Sequence, residues 1–222
     1  FSAGSFAVPF AKIKGWQWET YWMVYSLGAY ILFPLAACIV FAPSFIPIIS
    51  SIPFATLVAV FLLGAVYGIG NLSFGLALRY LGLSLGYALS LGLMLAIGTI
   101  IPPLLDGRFQ EMMINSGGKL LITGVLVACI GIAFSAWAGI LKDTEITKEK
   151  KQESIREFNL LKGLIAAGVV GIAGSAMSLG FEKGIAISDF SASQGVDPLF
   201  TMMPVMIVLL PGTFVTTIIW CT

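Results

Sequence analysis

Leu120-Leu121-Ile122-Thr123-Gly124-Val125-Leu126-Val127-Ala128-Cys129-Ile130-Gly131-Ile132-Ala133-Phe134-Ser135-Ala136-Trp137-Ala138-Gly139-Ile140-Leu141 is an apolar run without one charged side chain. A helix rises 1.5 Å per residue, so a run of this length covers the ~30 Å hydrocarbon layer of a bilayer. A core helix of a soluble domain keeps a charged or polar stripe on its outer face; here there is no such stripe. The reading extends outward in both directions. Residues 21–41, 56–78, 81–105, 163–181 and 199–222 are equally free of charge. Residues 1–11 form a seventh run of about half a span. The expected fold is an all-α polytopic membrane protein with about seven helices, the first partial, in a chain truncated at its N-terminus.

Composition agrees. The chain is 58% hydrophobic and 10% charged, with a mean hydropathy of +0.99, against about 45–50% and 25% in soluble domains. A net charge of +1 and the lack of a basic, aromatic-interleaved surface give no footprint for nucleic acid. Cys38, Cys129 and Cys221 sit singly inside apolar runs, which fits small buried hydrophobes and not a disulfide framework. Histidine is absent, which removes His-based triads, His metal sites and imidazole relays. No cofactor is expected.

Charge in the connections orients the runs. Counting Lys and Arg, the first, third and fifth connections (11–18, 79–82, 142–162) hold 2, 1 and 6. The second, fourth and sixth (42–53, 106–119, 182–198) hold 0, 2 and 1. The positive-inside rule places the first set in the cytoplasm. Trp16, Trp18, Tyr21 and Trp22 would form an aromatic belt at that boundary. The sign-alternating stretch within 142–162 reads as a solvated cytoplasmic loop or surface helix, and as the boundary between two halves, 1–141 and 163–222.

A faint internal echo supports two halves. Gly4-Ser5, followed by Phe10, Lys12 and Gly15, is matched by Gly174-Ser175, followed by Phe181, Lys183 and Gly184. It equates the first helix with the sixth. Five helices per unit is odd, so the second unit enters the bilayer from the opposite side, the inverted-repeat plan of many secondary transporters. On that plan the intact protein has about ten helices, with roughly 90–100 residues following Thr222.

Within the runs, Gly64/Gly68 and Gly82/Gly86 have the four-residue spacing that lets backbones approach closely; backbone flexibility during a transport cycle is the other reading. Pro102-Pro103 is expected to end the fourth helix. Pro211-Gly212 reads as a kink, either a gate or a local bend. Asn71 is the only Asn or Gln deep in a full span. Its amide needs a partner in lipid: an interhelical hydrogen bond on one reading, a substrate hydroxyl on the other. Tyr67 lies one turn away on the same face. Tyr87 and Ser90 on the next helix, and Ser175 in the echo, complete a candidate substrate-binding set; Tyr67 and Tyr87 also read as packing residues. Amide, hydroxyls and rings suit a neutral polyol better than an ion.

Among the carboxylates near the membrane edges, Glu19 has apolar and aromatic neighbours. It reads as an anion placed at a helix N-terminus, or as a proton-coupling group, partly buried so that its protonated form is favoured. Asp197-Pro198 reads as the N-cap and first residue of the last helix.

Several motifs resemble the L-rhamnose–proton symporter family. They are Pro9-Phe10-Ala-Lys12-Ile-Lys14-Gly-Trp16-Gln-Trp18-Glu19-Thr20, Gly64-Ala-Val-Tyr67-Gly68-Ile-Gly70-Asn71, Arg79-Tyr80-Leu-Gly82-Leu-Ser84-Leu-Gly86, Gly98-Thr99, Gly107-Arg-Phe109, Glu157-Phe-Asn159-Leu-Leu-Lys162-Gly163 and Gly195-Val-Asp197-Pro198. They run through essentially the whole chain in order. The resemblance implies a drug/metabolite-transporter-like bundle with an inverted five-plus-five repeat. It also implies import of L-rhamnose, or a related monosaccharide, with a proton across the bacterial inner membrane. The partners implied are the sugar and the bilayer. It carries over no set of site residues. The competing readings are an exporter or exchanger of another small metabolite and a non-transporting scaffold. An intramembrane enzyme would need clustered nucleophile and base groups, and the chain has no buried acid pair or His to form them.

Overall fold

A computed structural model describes residues 15–145 and 159–222. The expected partial helix at 1–11 and most of the charged loop lie outside the described residues. The described elements are all helical. α1 (Trp18–Leu27) passes through a π-helical turn, Gly28–Leu32, into α2 (Phe33–Phe41). α3 (Phe45–Ser51) precedes α4 (Phe54–Leu81) and α5 (Leu83–Leu105). α6 (Phe109–Ile114) precedes α7 (Ser116–Glu145). α8 (Leu160–Lys183), α9 (Ile185–Ser193) and α10 (Met203–Cys221) follow. Among the described residues, 6 helical stretches are long and apolar enough to cross a membrane: Glu19–Phe41, Phe54–Leu81, Leu85–Leu105, Ser116–Ala138, Leu160–Ser193 and Met203–Cys221. These match the six full apolar runs.

The π-turn has a local cause. Pro34 has no N–H for the Tyr30 carbonyl, and its ring would collide with it in a regular helix. The helix widens for one turn, and the Phe33 amide reaches back to the Gly28 carbonyl.

The chain packs as two compact units. One comprises Phe1–Ala65 with Lys183–Thr222, the other Val66–Glu182. In the first, α10 lies against α1, the π-turn and α2. Trp22 is 1% exposed and Cys38, Ile48 and Leu209 are fully buried. Trp22 therefore belongs to the core and not to the expected aromatic belt, whereas Trp16 is exposed. Phe41 stacks on Phe200 with ring centroids 4.3 Å apart. The contact of α10 with the start of α4 is close because both partners lack a side chain where they meet. A Cβ on Gly64 would strike the Leu209 carbonyl, and one on Gly212 the Phe61 carbonyl. Thr213 and Thr216 donate hydroxyl hydrogen bonds of 2.9 and 2.8 Å to the Gly64 and Ala65 carbonyls. Helix α10 runs unbroken through Pro211; Gly212 is there for the close approach.

In the second unit Ala77, Leu81, Leu89, Ala166 and Ala167 form the core of α4, α5 and α8. Gly82 is the turn between α4 and α5, at φ 78, and not a packing glycine. A left-handed φ costs a residue with a Cβ about 1–2 kcal/mol. The turn brings Gly86 against the backbone of Leu78. Helix α5 continues past Pro102 and Pro103 to Leu105. At the far end Arg108 donates to Asp106 at 2.8 Å and to Glu182, tying the loop after α5 to the end of α8. The Asp106 hydrogen bond first, then the negative charges of Glu182 and Asp106, raise the Arg108 pKa further. Asp197 is not the N-cap of the last helix. Its carboxylate accepts from the Leu199 amide at 2.9 Å within a turn, and α10 begins six residues later, at Met203. Of the three cysteines, Cys38 is buried, Cys221 half-buried and Cys129 exposed on α7, so the expectation of burial fails at Cys129.

Candidate functional site

Five of the six candidate residues lie in the second unit, on three helices, α4 (Tyr67, Asn71), α5 (Tyr87, Ser90) and α8 (Ser175), that touch through Phe74 and Tyr87, Gly70 and Gly174, and Gly174 and Met94. On α4, Tyr67, Asn71 and Phe74 follow one another at helical spacing and share a face. Asn71 is 7% exposed and Tyr67 is half-buried. Phe74 receives Tyr87 from α5 edge to face, with centroids 5.2 Å apart and planes at 87°. Ser90, one turn along α5, is fully buried, and its hydroxyl has no hydrogen-bond partner among the described residues. The Asn71 amide nitrogen and the Tyr87 hydroxyl are likewise sealed from solvent.

Helix α8 closes the cluster with small residues. A Cβ added at Gly70 would come within 3.2 Å of Ala173 Cβ and of the Gly174 nitrogen. One added at Gly174 would come within 2.5 Å of Met94 Cγ. Ser175 is buried, and its hydroxyl donates to the Ile172 carbonyl at 2.6 Å, which leaves its oxygen free to accept. Without a hydrophobic drive between helices in lipid, such backbone-on-side-chain contacts are what hold a bundle together. They also draw α4, α5 and α8 close together.

The arrangement offers an amide, three hydroxyls and aromatic edges, with no charged side chain on these positions. That is a donor and acceptor set for a neutral hydroxylated ligand. Among the described residues no group of three or more His, Cys, Asp or Glu stands ready for a metal ion. Glu19 belongs to the other unit, in the first turn of α1, half-buried and within electrostatic range of Cys221 at the end of α10. Met94 was passed over by sequence reading, since a methionine in an apolar run carries no pattern of its own. Gly174 had a weak signal as part of the Gly174-Ser175 echo.

Fold and cluster define a polytopic α-helical membrane protein with a small uncharged polar centre among its helices. Comparison with known proteins gives the family. The sequence profile described as L-rhamnose-proton symport protein (RhaT) matches residues 1–222, and the chain belongs to that family, one of transporters and not of enzymes. The L-rhamnose-proton symporters of Escherichia coli strain ATCC 8739, Escherichia coli O1:K1 / APEC and Shigella boydii serotype 18 are each 37% identical to it over 99% of the chain. The chain spans 62% of the length of these relatives. No solved structure matches it.

Proposed function

We propose that this chain is part of a secondary transporter that imports L-rhamnose, or a related monosaccharide, with a proton across the bacterial inner membrane. The observation that carries the proposal is membership of the symport family over the whole of residues 1–222. The uncharged polar cluster of Asn71, Tyr87, Ser90 and Ser175, with Tyr67 beside it, supplies groups that a sugar's hydroxyls need. The coupling ion is a proton, and Glu19 is the candidate group to carry it. The fold is read as the ten-helix, inverted five-plus-five plan, with repeat halves at 1–141 and 163–222 joined by a cytoplasmic loop at 142–162. These halves follow sequence symmetry and are independent of the two packing units, which follow contacts.

The test is to add L-rhamnose to lightly buffered vesicles containing the full chain and record external pH. Proton uptake that accompanies sugar entry supports symport. Sugar entry without proton movement points to a facilitator or exchanger on the same fold, and no entry refutes the substrate.

A further inference from the structure

We propose that Met94 sets the sugar specificity of this cluster, presenting its thioether to the methyl group of a 6-deoxyhexose while the polar side chains around it hold the hydroxyls; this rests on the cluster being the monosaccharide site. L-rhamnose differs from L-mannose at one position, with a methyl where L-mannose has a hydroxymethyl. A binding site that selects the deoxy sugar needs an apolar surface at that position, next to groups that satisfy the remaining hydroxyls.

The cluster has that composition. Ser90 is fully buried with an unpartnered hydroxyl, so a polar ligand atom is what would satisfy it. Met94 is one helical turn along from Ser90 on the same face of α5. Its side chain lies on the bare Cα of Gly174, where an added Cβ would come within 2.5 Å of its Cγ and 2.9 Å of its Sδ. The nitrogen of the same glycine meets Gly70, the residue before Asn71. Met94 is thus an apolar side chain on the Ser90 face of α5, seated against Gly174, the residue before Ser175. Phe74 is already engaged edge to face with Tyr87. A thioether is flexible and polarisable and moulds itself to a methyl group. A hydroxymethyl in the same place would bury a hydroxyl with nothing to bond. Discrimination of this kind amounts to roughly 10–100-fold.

The experiment measures uptake of L-rhamnose and of L-mannose, each alone, by cells expressing the full chain and lacking other uptake routes for either sugar. The wild type takes up L-rhamnose in preference. Met94→Gln keeps the length of the side chain but adds an amide that can bond the extra hydroxyl, and is expected to lower the L-rhamnose to L-mannose ratio about tenfold or more. Met94→Leu, whatever its effect on rate, keeps the ratio within about twofold, since it remains apolar. Gly174→Ala displaces the thioether from α8 and lowers the ratio too; it decides the matter if Met94→Gln does not reach the membrane. An unchanged ratio in Met94→Gln, or an equal fall in Met94→Leu, overturns the assignment of Met94 and leaves the monosaccharide site standing. Uptake of neither sugar by the wild type removes the site and the assignment together.

Discussion

The hydroxyl of Thr213 donates a 2.9 Å hydrogen bond to the Gly64 carbonyl, joining two helices 149 residues apart in sequence. The contact exists because neither backbone carries a side chain at the crossing: Gly64 faces Leu209, and Gly212 faces Phe61. Thr213→Val keeps the shape and removes the donor. The Gly64 carbonyl keeps its own helical hydrogen bond, so the loss is about 0.6 kcal/mol and at most ~1.7. A thermal-shift measurement in detergent should show a fall of a few degrees or less. Gly64→Ala should be far worse, because its Cβ meets backbone that cannot move aside, and folded protein should be nearly lost. Gly124 on α7 meets nothing within 4 Å, and Gly124→Ala should express as the wild type. Equal yields of Gly64→Ala and Gly124→Ala would refute the close crossing.

Asn71 is the most demanding polar residue of the cluster, an amide sealed at 7% exposure between helices. Asn71→Leu preserves volume and removes every hydrogen bond the amide makes. The expected result is a protein that reaches the membrane in normal amount and no longer binds L-rhamnose, read by equilibrium binding to the purified full chain. Normal binding and uptake by this variant would reduce Asn71 to a packing residue.

The proposed symport needs a group whose protonation changes within the cycle, and among these 222 residues, which include no histidine, the candidates are carboxylates. Glu19, half-buried in the first turn of α1, is the candidate to test. Glu19→Gln mimics the protonated form. It should retain sugar binding and sugar-for-sugar exchange while losing accumulation against a gradient. Uphill uptake at the wild-type level would assign coupling to another carboxylate.

Topology follows from the Lys and Arg counts of the connections. With Cys38, Cys129 and Cys221 first replaced, a single cysteine at position 50 should react with an impermeant reagent in intact cells. One at position 150 should react only after the cells are opened. The opposite pattern would invert the orientation.

What the sequence by itself determined was the solvent and the six full apolar runs that become long helices among the described residues. Uncharged runs near 20 residues have one physical solution, since a backbone in lipid must satisfy its own hydrogen bonds and a helix does so within one segment. The six full runs were therefore legible, as was the inward placement of Asn71. Helix ends and short helices were less so. α3, α6 and α9 occupy stretches read as connections, because their composition differs little from that of loops near a membrane surface. Asp197 and Gly82 carry local signals that suit a cap and a packing glycine, yet each serves a turn instead.

Only the tertiary structure decided which small residues mean contact. Gly64, Gly124 and Gly174 look alike in an apolar run, but one faces a carbonyl, one meets nothing, and one lies under Met94. Trp22 reads as an interfacial anchor and is 1% exposed in a core. The face a helix turns inward cannot be read from polarity when all its faces are apolar, because in lipid packing, not burial from water, selects the partner. For the same reason the meeting of Gly174 with Met94 on one side and Gly70 on the other emerges only when α4, α5 and α8, separated by up to about a hundred residues of chain, are set side by side.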